Sequence, residues 1–291
     1  MLQKEKSDPT NRQLIIYCAS LFLLSWCVQI AAIIITGSAN SPEARSWLVI
    51  TMLTPSVVTI AYLIVHPQLR IKLLWKPNWS IFRISFIAVL VPTITAFLVL
   101  LIIQQMGYGQ SGWFHFSSTD IQISGGPFLL GIGTQSWLFF VANILITGVI
   151  YSLINGTVAI GEEFAWRGFL QGILIERLGT IKGIALLGFL WSMWHLPMLL
   201  DGYNFPETPL LGSFVIFPIQ LIANSFFMGW LTLYSRSFIP AAIAHGAGNS
   251  IMEGIVSNIN MDVPRIYEDL ITLSVTVVIG LFFMFLLKRI K

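Results

Sequence analysis

Eight stretches of the chain are apolar over the length that a membrane helix requires. A helix that crosses a hydrocarbon core of about 30 Å needs roughly 20 apolar residues. Only helices or closed barrels satisfy their backbone groups in lipid, and these runs are too long for barrel strands. We therefore predict an all-α, polytopic membrane bundle of about eight helices, at 14–36, 47–65, 84–104, 136–158, 181–200, 214–234, 239–257 and 269–287.

Composition and charge agree with a lipid environment. Hydrophobic residues make up 56% of the chain and charged residues only 10%, against about 25% charged in soluble domains. The net charge of +3 is small and scattered, which argues against a nucleic-acid partner. The first run lacks a small-residue cleavage site, so we expect a retained span.

Lysine and arginine positions predict the orientation of the bundle. The odd-numbered connections carry only Arg45 and Arg265. All other lysines and arginines lie in the even-numbered connections and the termini. Because such cations stay in the cytoplasm, both termini are predicted to be cytoplasmic and the long connection 105–135 outside, which favours an even number of spans. The even-numbered connections and the termini carry the other fourteen cations, Lys4, Lys6, Arg12, Arg70, Lys72, Lys76, Arg83, Arg167, Arg177, Lys182, Arg236, Lys288, Arg289 and Lys291.

Ionisable residues within the spans are concentrated between 162 and 253, and they divide the chain into three parts. Residues 1–135 hold the first helices and an extracytoplasmic loop, 136–257 the candidate catalytic core, and 258–291 a last helix with a basic tail. Because a charge inside a membrane is costly, each such residue is a candidate for function.

The first cluster is Glu162, Glu163 and Arg167. Glu163 and Arg167 are four residues apart and can pair on one helix face. Glu162 points about 100° away from Glu163 and could accept a proton from water. The alternative is a solvated helix end with an ordinary ion pair.

Two further motifs follow in later spans. Trp191 precedes His195 by one turn, and an interfacial histidine before Pro197 is the structural alternative. His245, Asn249 and Glu253 form a polar stripe at helical spacing, beside the small residues 246–248 that permit close helix approach. Hydrogen bonding that merely joins helices is the alternative for this stripe.

The three motifs in this order resemble the CAAX-prenyl-endopeptidase and bacteriocin-processing family of intramembrane proteases, also called CPBP or ABI proteins. The resemblance covers about 136–257. The motifs are Glu-Glu-x-x-x-Arg at 162–167, aromatic-x-x-x-His at 191–195 and His-x-x-x-Asn at 245–249. The family's second motif usually begins with Phe, whereas this chain has Trp191.

The resemblance implies a glutamate-dependent hydrolysis. Glu162, helped by His195, would activate water, and His245 with Asn249 would donate hydrogen bonds to the oxyanion. Glu163, Arg167 and Trp191 would support the site, with Glu253 as an accessory. We expect no cofactor. Zinc is the lesser alternative, since His and Glu are zinc ligands but no His-Glu-x-x-His helix is present.

The predicted function is an intramembrane endopeptidase of the bacterial plasma membrane. Its partners would be a peptide or protein substrate, lipidated or not, and the membrane lipids. We expect access from the cytoplasmic face, since Glu162 precedes a basic connection. The alternatives are a non-proteolytic binding or immunity protein of the same fold and a proton-coupled transporter. Transport is disfavoured because the polar groups crowd into one half of the chain.

Overall fold

The computed structural model describes residues 8–290, and helices account for most of this range. Lys4, Lys6 and Lys291 lie outside it. The helices are α1 (Asn11–Thr36), α2 (Ala44–Val65), α3 (Ser80–Gln105), α4 (Trp137–Leu178), α5 (Thr180–Trp194), α6 (Leu196–Leu200), α7 (Pro209–Ser235), α8 (239–257) and α9 (Ile266–Leu287). A 3₁₀ turn, Pro67–Lys72, follows α2.

The helical prediction is confirmed in all eight predicted runs. Six of the described helices, α1–α4, α7 and α9, are long and apolar enough to cross a membrane. Their outer surfaces expose aliphatic side chains such as Leu23, Ile34 and Val278, which suits lipid. The run 181–200 is two helices joined at His195, and α8 is interrupted by a π-helical turn. The number of crossings and the side of each terminus stay predictions.

Helix α4 is much longer than predicted. The sequence places its end at residue 158, but a π-helical turn at Phe164–Leu170 carries the helix on to Leu178. Glu162, Glu163 and Arg167 consequently lie within the helix and are no more than 1% exposed. The interpretation of this cluster as a solvated helix end is wrong, and Arg167 is not a loop cation.

The connection between α3 and α4 folds into short strands that the sequence did not predict. Strands β2 (Phe114–Phe116), β3 (Asp120–Ile123) and β4 (Gly133–Ser136) form an antiparallel sheet, while β1 (Gly109–Ser111) pairs with β5 (Ile259–Met261). Phe114 packs against Phe97 and Phe140. The aromatic side chains thus attach this connection to the end of the bundle.

Small residues allow α8 to approach α4 closely. A Cβ atom added to Gly246 would lie only 2.4 Å from the backbone nitrogen of Gly156. Such contacts are typical of tightly packed membrane helices. The sequence interpretation of Gly246 as a close-approach residue is therefore confirmed, and the approach brings His245 within reach of Glu163.

Candidate active site

A cavity of about 870 Å³ runs between the helices and contains the predicted catalytic residues. Glu162 of α4, His195 between α5 and α6, and His245 and Asn249 of α8 all line it. Trp191 lines it as well, whereas Glu163 and Arg167 lie behind its wall. The three motifs therefore converge on one space, although they come from separate helices.

Glu162 is held at the cavity wall by Trp191. The indole Nε1 of Trp191 donates a hydrogen bond of 2.7 Å to Glu162 Oε2. No residue between 8 and 290 donates a hydrogen bond to Glu162 Oε1. One carboxylate oxygen is thus fixed in place, and the other is left for water or substrate.

Glu163 has different surroundings. Its Oε1 accepts hydrogen bonds of 2.9 Å from Arg167 Nη1 and from His245 Nδ1. Arg167 also donates to Ser225 Oγ at 3.0 Å. We call Glu163, Arg167, Ser225 and His245 the ionic cluster. The ion pair between Glu163 and Arg167 is confirmed, while the contact of Glu163 with His245 was not predicted.

Trp191 joins the three motifs physically. Its ring lies under the guanidinium carbon of Arg167, 4.0 Å from it, and 5.3 Å from the ring of His245. Its carbonyl oxygen forms a hydrogen bond of 2.8 Å with His195 Nδ1. The sequence treated this residue as a matter of local packing, but it contacts a residue of every motif.

His195 lies at the joint between α5 and α6 and faces the cavity, so a purely interfacial position is excluded. Because a carbonyl oxygen can only accept, Nδ1 must carry the proton, and Nε2 is then the basic nitrogen. The joint is stabilised from α1, where Gln29 and Trp26 both donate to the carbonyl oxygen of Trp194. These contacts fix the backbone beside His195.

Asn249 and Glu253 also face the cavity, and both are exposed to it. Asn249 forms no side-chain hydrogen bond with any residue from 8 to 290. Both residues follow His245 through the π-helical turn Gly248–Met252, which α-helical spacing does not anticipate. Turns of this kind frequently occur at functional sites.

Several amide side chains in the cavity wall escaped the sequence analysis. Gln29 of α1, Asn155 of α4 and Asn224 of α7 line the cavity within otherwise apolar helices. The sequence analysis considered ionisable groups alone, although an amide in an apolar run is also costly unless it has a partner. Tyr203, from the connection after α6, lines the cavity too and carried no such signal.

The mouth of the cavity lies at the opposite end of the bundle from the predicted one. Its rim includes Arg45, Tyr203, Glu207, Arg265 and Asp269, which belong to the odd-numbered connections or adjoin them. The lining does not extend to the basic even-numbered end, from which we predicted access. The physical reason is that α4 continues for sixteen residues, about 24 Å, beyond Glu162 and helps to close that end.

The histidines of the site already use one ring nitrogen each. His195 Nδ1 is bound to a backbone carbonyl and His245 Nδ1 to a carboxylate. Within residues 8–290, no group of three or more His, Cys, Asp or Glu side chains is placed to hold a metal ion. Metal independence itself stays a prediction.

Comparison with known proteins places the similarity on this same part of the chain. Residues 134–251, about two fifths of the chain, match the family described as type II CAAX prenyl endopeptidase Rce1-like. CAAX prenyl protease 2 of Methanococcus maripaludis is 26% identical over 113 residues, which cover 37% of this chain and 38% of that protein. Residues 134–251 of this integral membrane chain, which contain its three motifs, are therefore similar to the CAAX-type protease family.

Proposed function

We propose that the protein is an intramembrane endopeptidase that hydrolyses a peptide bond in a membrane-associated peptide or protein. The observation that carries the proposal is the convergence of Glu162, His195, His245 and Asn249 on one cavity. The similarity of residues 134–251 to a CAAX-type protease family supports a protease, and the cavity lining supports a glutamate-type mechanism.

Glu162 acts as the general base in this proposal. Its Oε1 takes a proton from a water molecule while Trp191 holds Oε2. His195 Nε2 accepts the second hydrogen bond of the same water and orients it. The water oxygen forms a bond to the scissile carbonyl carbon. Glu162 then returns the proton to the leaving nitrogen as the C–N bond breaks, which gives a carboxylic acid and an amine.

The developing oxyanion is stabilised from α8. The Asn249 amide donates one hydrogen bond, and His245 Nε2–H donates a second when the imidazole is protonated. The Glu163 carboxylate at Nδ1 compensates the charge of that imidazolium. Arg167 in turn fixes Glu163. Glu163 and Arg167 thus position the His245 donor without contacting the substrate themselves.

The proposed substrates include more than the prenylated proteins that the name of the Methanococcus maripaludis relative indicates. That protein is a CAAX prenyl protease, which makes a prenylated C-terminal peptide one substrate to test, beside unmodified leader or bacteriocin peptides. Membrane lipids surround the helices in either case. The bacterial plasma membrane is the location that we propose.

The test uses the purified full chain in detergent with prenylated and unprenylated peptides, and products are identified by mass spectrometry. We expect the wild type to cleave, and Glu162→Ala, His195→Ala and His245→Ala to lose cleavage while eluting as folded protein. Cleavage that survives Glu162→Ala would exclude Glu162 as the base.

Two further outcomes separate the alternatives. A wild type that cleaves no peptide but protects cells from a peptide toxin would favour an immunity protein. Chelators should leave the rate unchanged. Loss of activity that only zinc restores would establish the metalloprotease alternative.

A further inference from the structure

Contacts between connections define one end of the bundle. The segment after α2 donates from Leu74 N to the carbonyl of Gly168, and Lys76 N donates to that of Arg236. Lys72 forms ion pairs with Asp8 and Glu176. The start of α1, the end of α4 and the turn after α7 therefore meet here. We call this the cationic end.

The charge at this end is strongly one-sided. Asp8 and Glu176 are the acidic residues of its described part. Against these two acids stand ten described cations, Arg12, Arg70, Lys72, Lys76, Arg83, Arg177, Lys182, Arg236, Lys288 and Arg289.

The opposite end has the reverse composition. Asp201, after α6, accepts hydrogen bonds from Ser38 and Ala39, after α1. Strand β1, after α3, pairs with β5, after α8. Arg45 and Arg265 are the cations among these connections and the adjoining first helical turns. We call this the acidic end, for its seven described acids Glu43, Asp120, Asp201, Glu207, Asp262, Glu268 and Asp269.

The cavity opens at the acidic end. Its rim residues Glu207, Arg265 and Asp269 belong to that end, and no residue between 66 and 83 or between 235 and 243 lines it. Tyr203, Glu253 and Glu162 line the same cavity as these rim residues. The path to the site and the cationic loops therefore lie on opposite sides of the bundle.

We infer that the active site is open to the extracytoplasmic face, and that its substrate is a peptide segment presented on that face. Connections rich in Lys and Arg stay in the cytoplasm, because translocating them across the membrane is unfavourable. The cationic end is therefore cytoplasmic and the mouth is outside. The inference about the substrate rests on the proposed endopeptidase function, whereas the direction of opening does not.

A labelling experiment tests the opening without requiring catalysis. The native cysteines Cys18 and Cys27 both lie in α1 and are replaced by Ala and Ser. Single cysteines are then introduced as Glu207→Cys at the mouth, Met252→Cys inside the cavity, or Lys182→Cys as the matched control at the cationic end. Bacterial cells that express each variant are treated with a membrane-impermeant maleimide, intact or after lysis.

We expect Glu207→Cys and Met252→Cys to label equally in intact and lysed cells, and Lys182→Cys to label several-fold more after lysis. The inverse pattern would overturn the inference. Labelling at Glu207→Cys without labelling at Met252→Cys would also overturn it, because the cavity would then be closed to that face. An inactive protein that labels as expected would count against the proposed endopeptidase alone.

Discussion

Glu162 at the cavity wall and Glu163 in the ionic cluster are adjacent in the chain, yet their hydrogen bonding and their access to the cavity differ. Glu162 lies at the cavity wall with one hydrogen-bonded oxygen and one open oxygen. Glu163 is enclosed, and its Oε1 accepts from both Arg167 and His245. Adjacent residues on a helix point about 100° apart, so identical side chains are divided between chemistry and support.

This difference shows how a site can be rigid and reactive within the same helix. The cluster pairs Glu163 Oε1 with Arg167 and His245, although Glu163 Oε2 and Arg167 Nε have no hydrogen-bond partner in the described chain. Placing opposite charges together lowers the cost of keeping ions away from water. The cavity keeps unpaired polar groups, Glu162 Oε1 and the Asn249 amide, which water or substrate can reach. Substitutions of Glu163 and Arg167 should therefore change stability first, and substitutions of residues that line the cavity should change the rate first.

The largest effect on stability should follow Arg167→Met. The substitution removes the cation and leaves the Glu163 carboxylate buried with His245 alone. Breaking a buried ion pair in this way costs about 3–5 kcal/mol. Denaturant unfolding in detergent measures this loss. The double variant Arg167→Met/Glu163→Gln should recover part of it, and unfolding of Arg167→Met at the wild-type midpoint would contradict the role of the cluster.

Asn249→Ala should act on the rate and leave stability unchanged. Removal of one oxyanion donor costs about 10²–10³-fold in kcat, and Asn249 has no side-chain partner in the described chain to lose. Steady-state peptide cleavage gives kcat and KM separately. Asn224→Ala is the matched control, since this amide also lines the cavity but has no proposed role. Equal losses in both variants would remove Asn249 from the mechanism.

A smaller effect is expected for Trp191→Phe. The ring remains under Arg167, but the hydrogen bond to Glu162 Oε2 disappears. A hydrogen bond to a charged group contributes about 1.5–3 kcal/mol, so kcat/KM should fall by about 10- to 150-fold. The resembled family usually has Phe here, which indicates that the variant folds. An unchanged kcat/KM would mean that Trp191 only packs.

The smallest effect should come from Lys72→Ala at the cationic end. Burial by itself lowers the pKa of Lys72, but its hydrogen bonds with Asp8 and Glu176 raise it overall. The lysine therefore stays charged at neutral pH, and the part of the stability that comes from its charge is lost at alkaline pH, as the pH rises through the raised pKa. Its partners are about half exposed, so the variant should lose less than about 1 kcal/mol. A larger loss would place an energetically important contact outside the cluster and cavity.

Much of the architecture could be predicted because a helix in lipid needs a long, nearly uninterrupted run of apolar residues. Apolar length alone located all eight helical runs, and the spacing of Glu163 and Arg167 predicted their ion pair. The cost of polar groups in a membrane made Glu162, His195, His245 and Asn249 candidates, and the resemblance of their motifs to a protease family grouped them into one site. These predictions depend on local spacing or on burial, which the sequence carries directly.

The errors arose where long-range packing decided the outcome. The helix end predicted at residue 158 assumed that charges mark solvent, whereas a π-helical turn and the partners His245 and Ser225 keep them buried. The prediction of the side from which the cavity is reached rested on the same assumption, because it placed Glu162 next to a basic connection. The pairing of β1 with β5 joins residues about 150 apart in sequence, which no local pattern can indicate.

The central claim is that Glu162 performs the chemistry while Glu163 only positions His245, and paired glutamine variants test this most directly. Peptide cleavage and denaturant unfolding are measured on Glu162→Gln and Glu163→Gln side by side. We predict that Glu162→Gln loses cleavage by about 10²–10⁴-fold with the wild-type unfolding midpoint, and that Glu163→Gln unfolds more readily yet still cleaves measurably. Near-normal cleavage by Glu162→Gln, together with complete loss in a stably folded Glu163→Gln, would contradict the account.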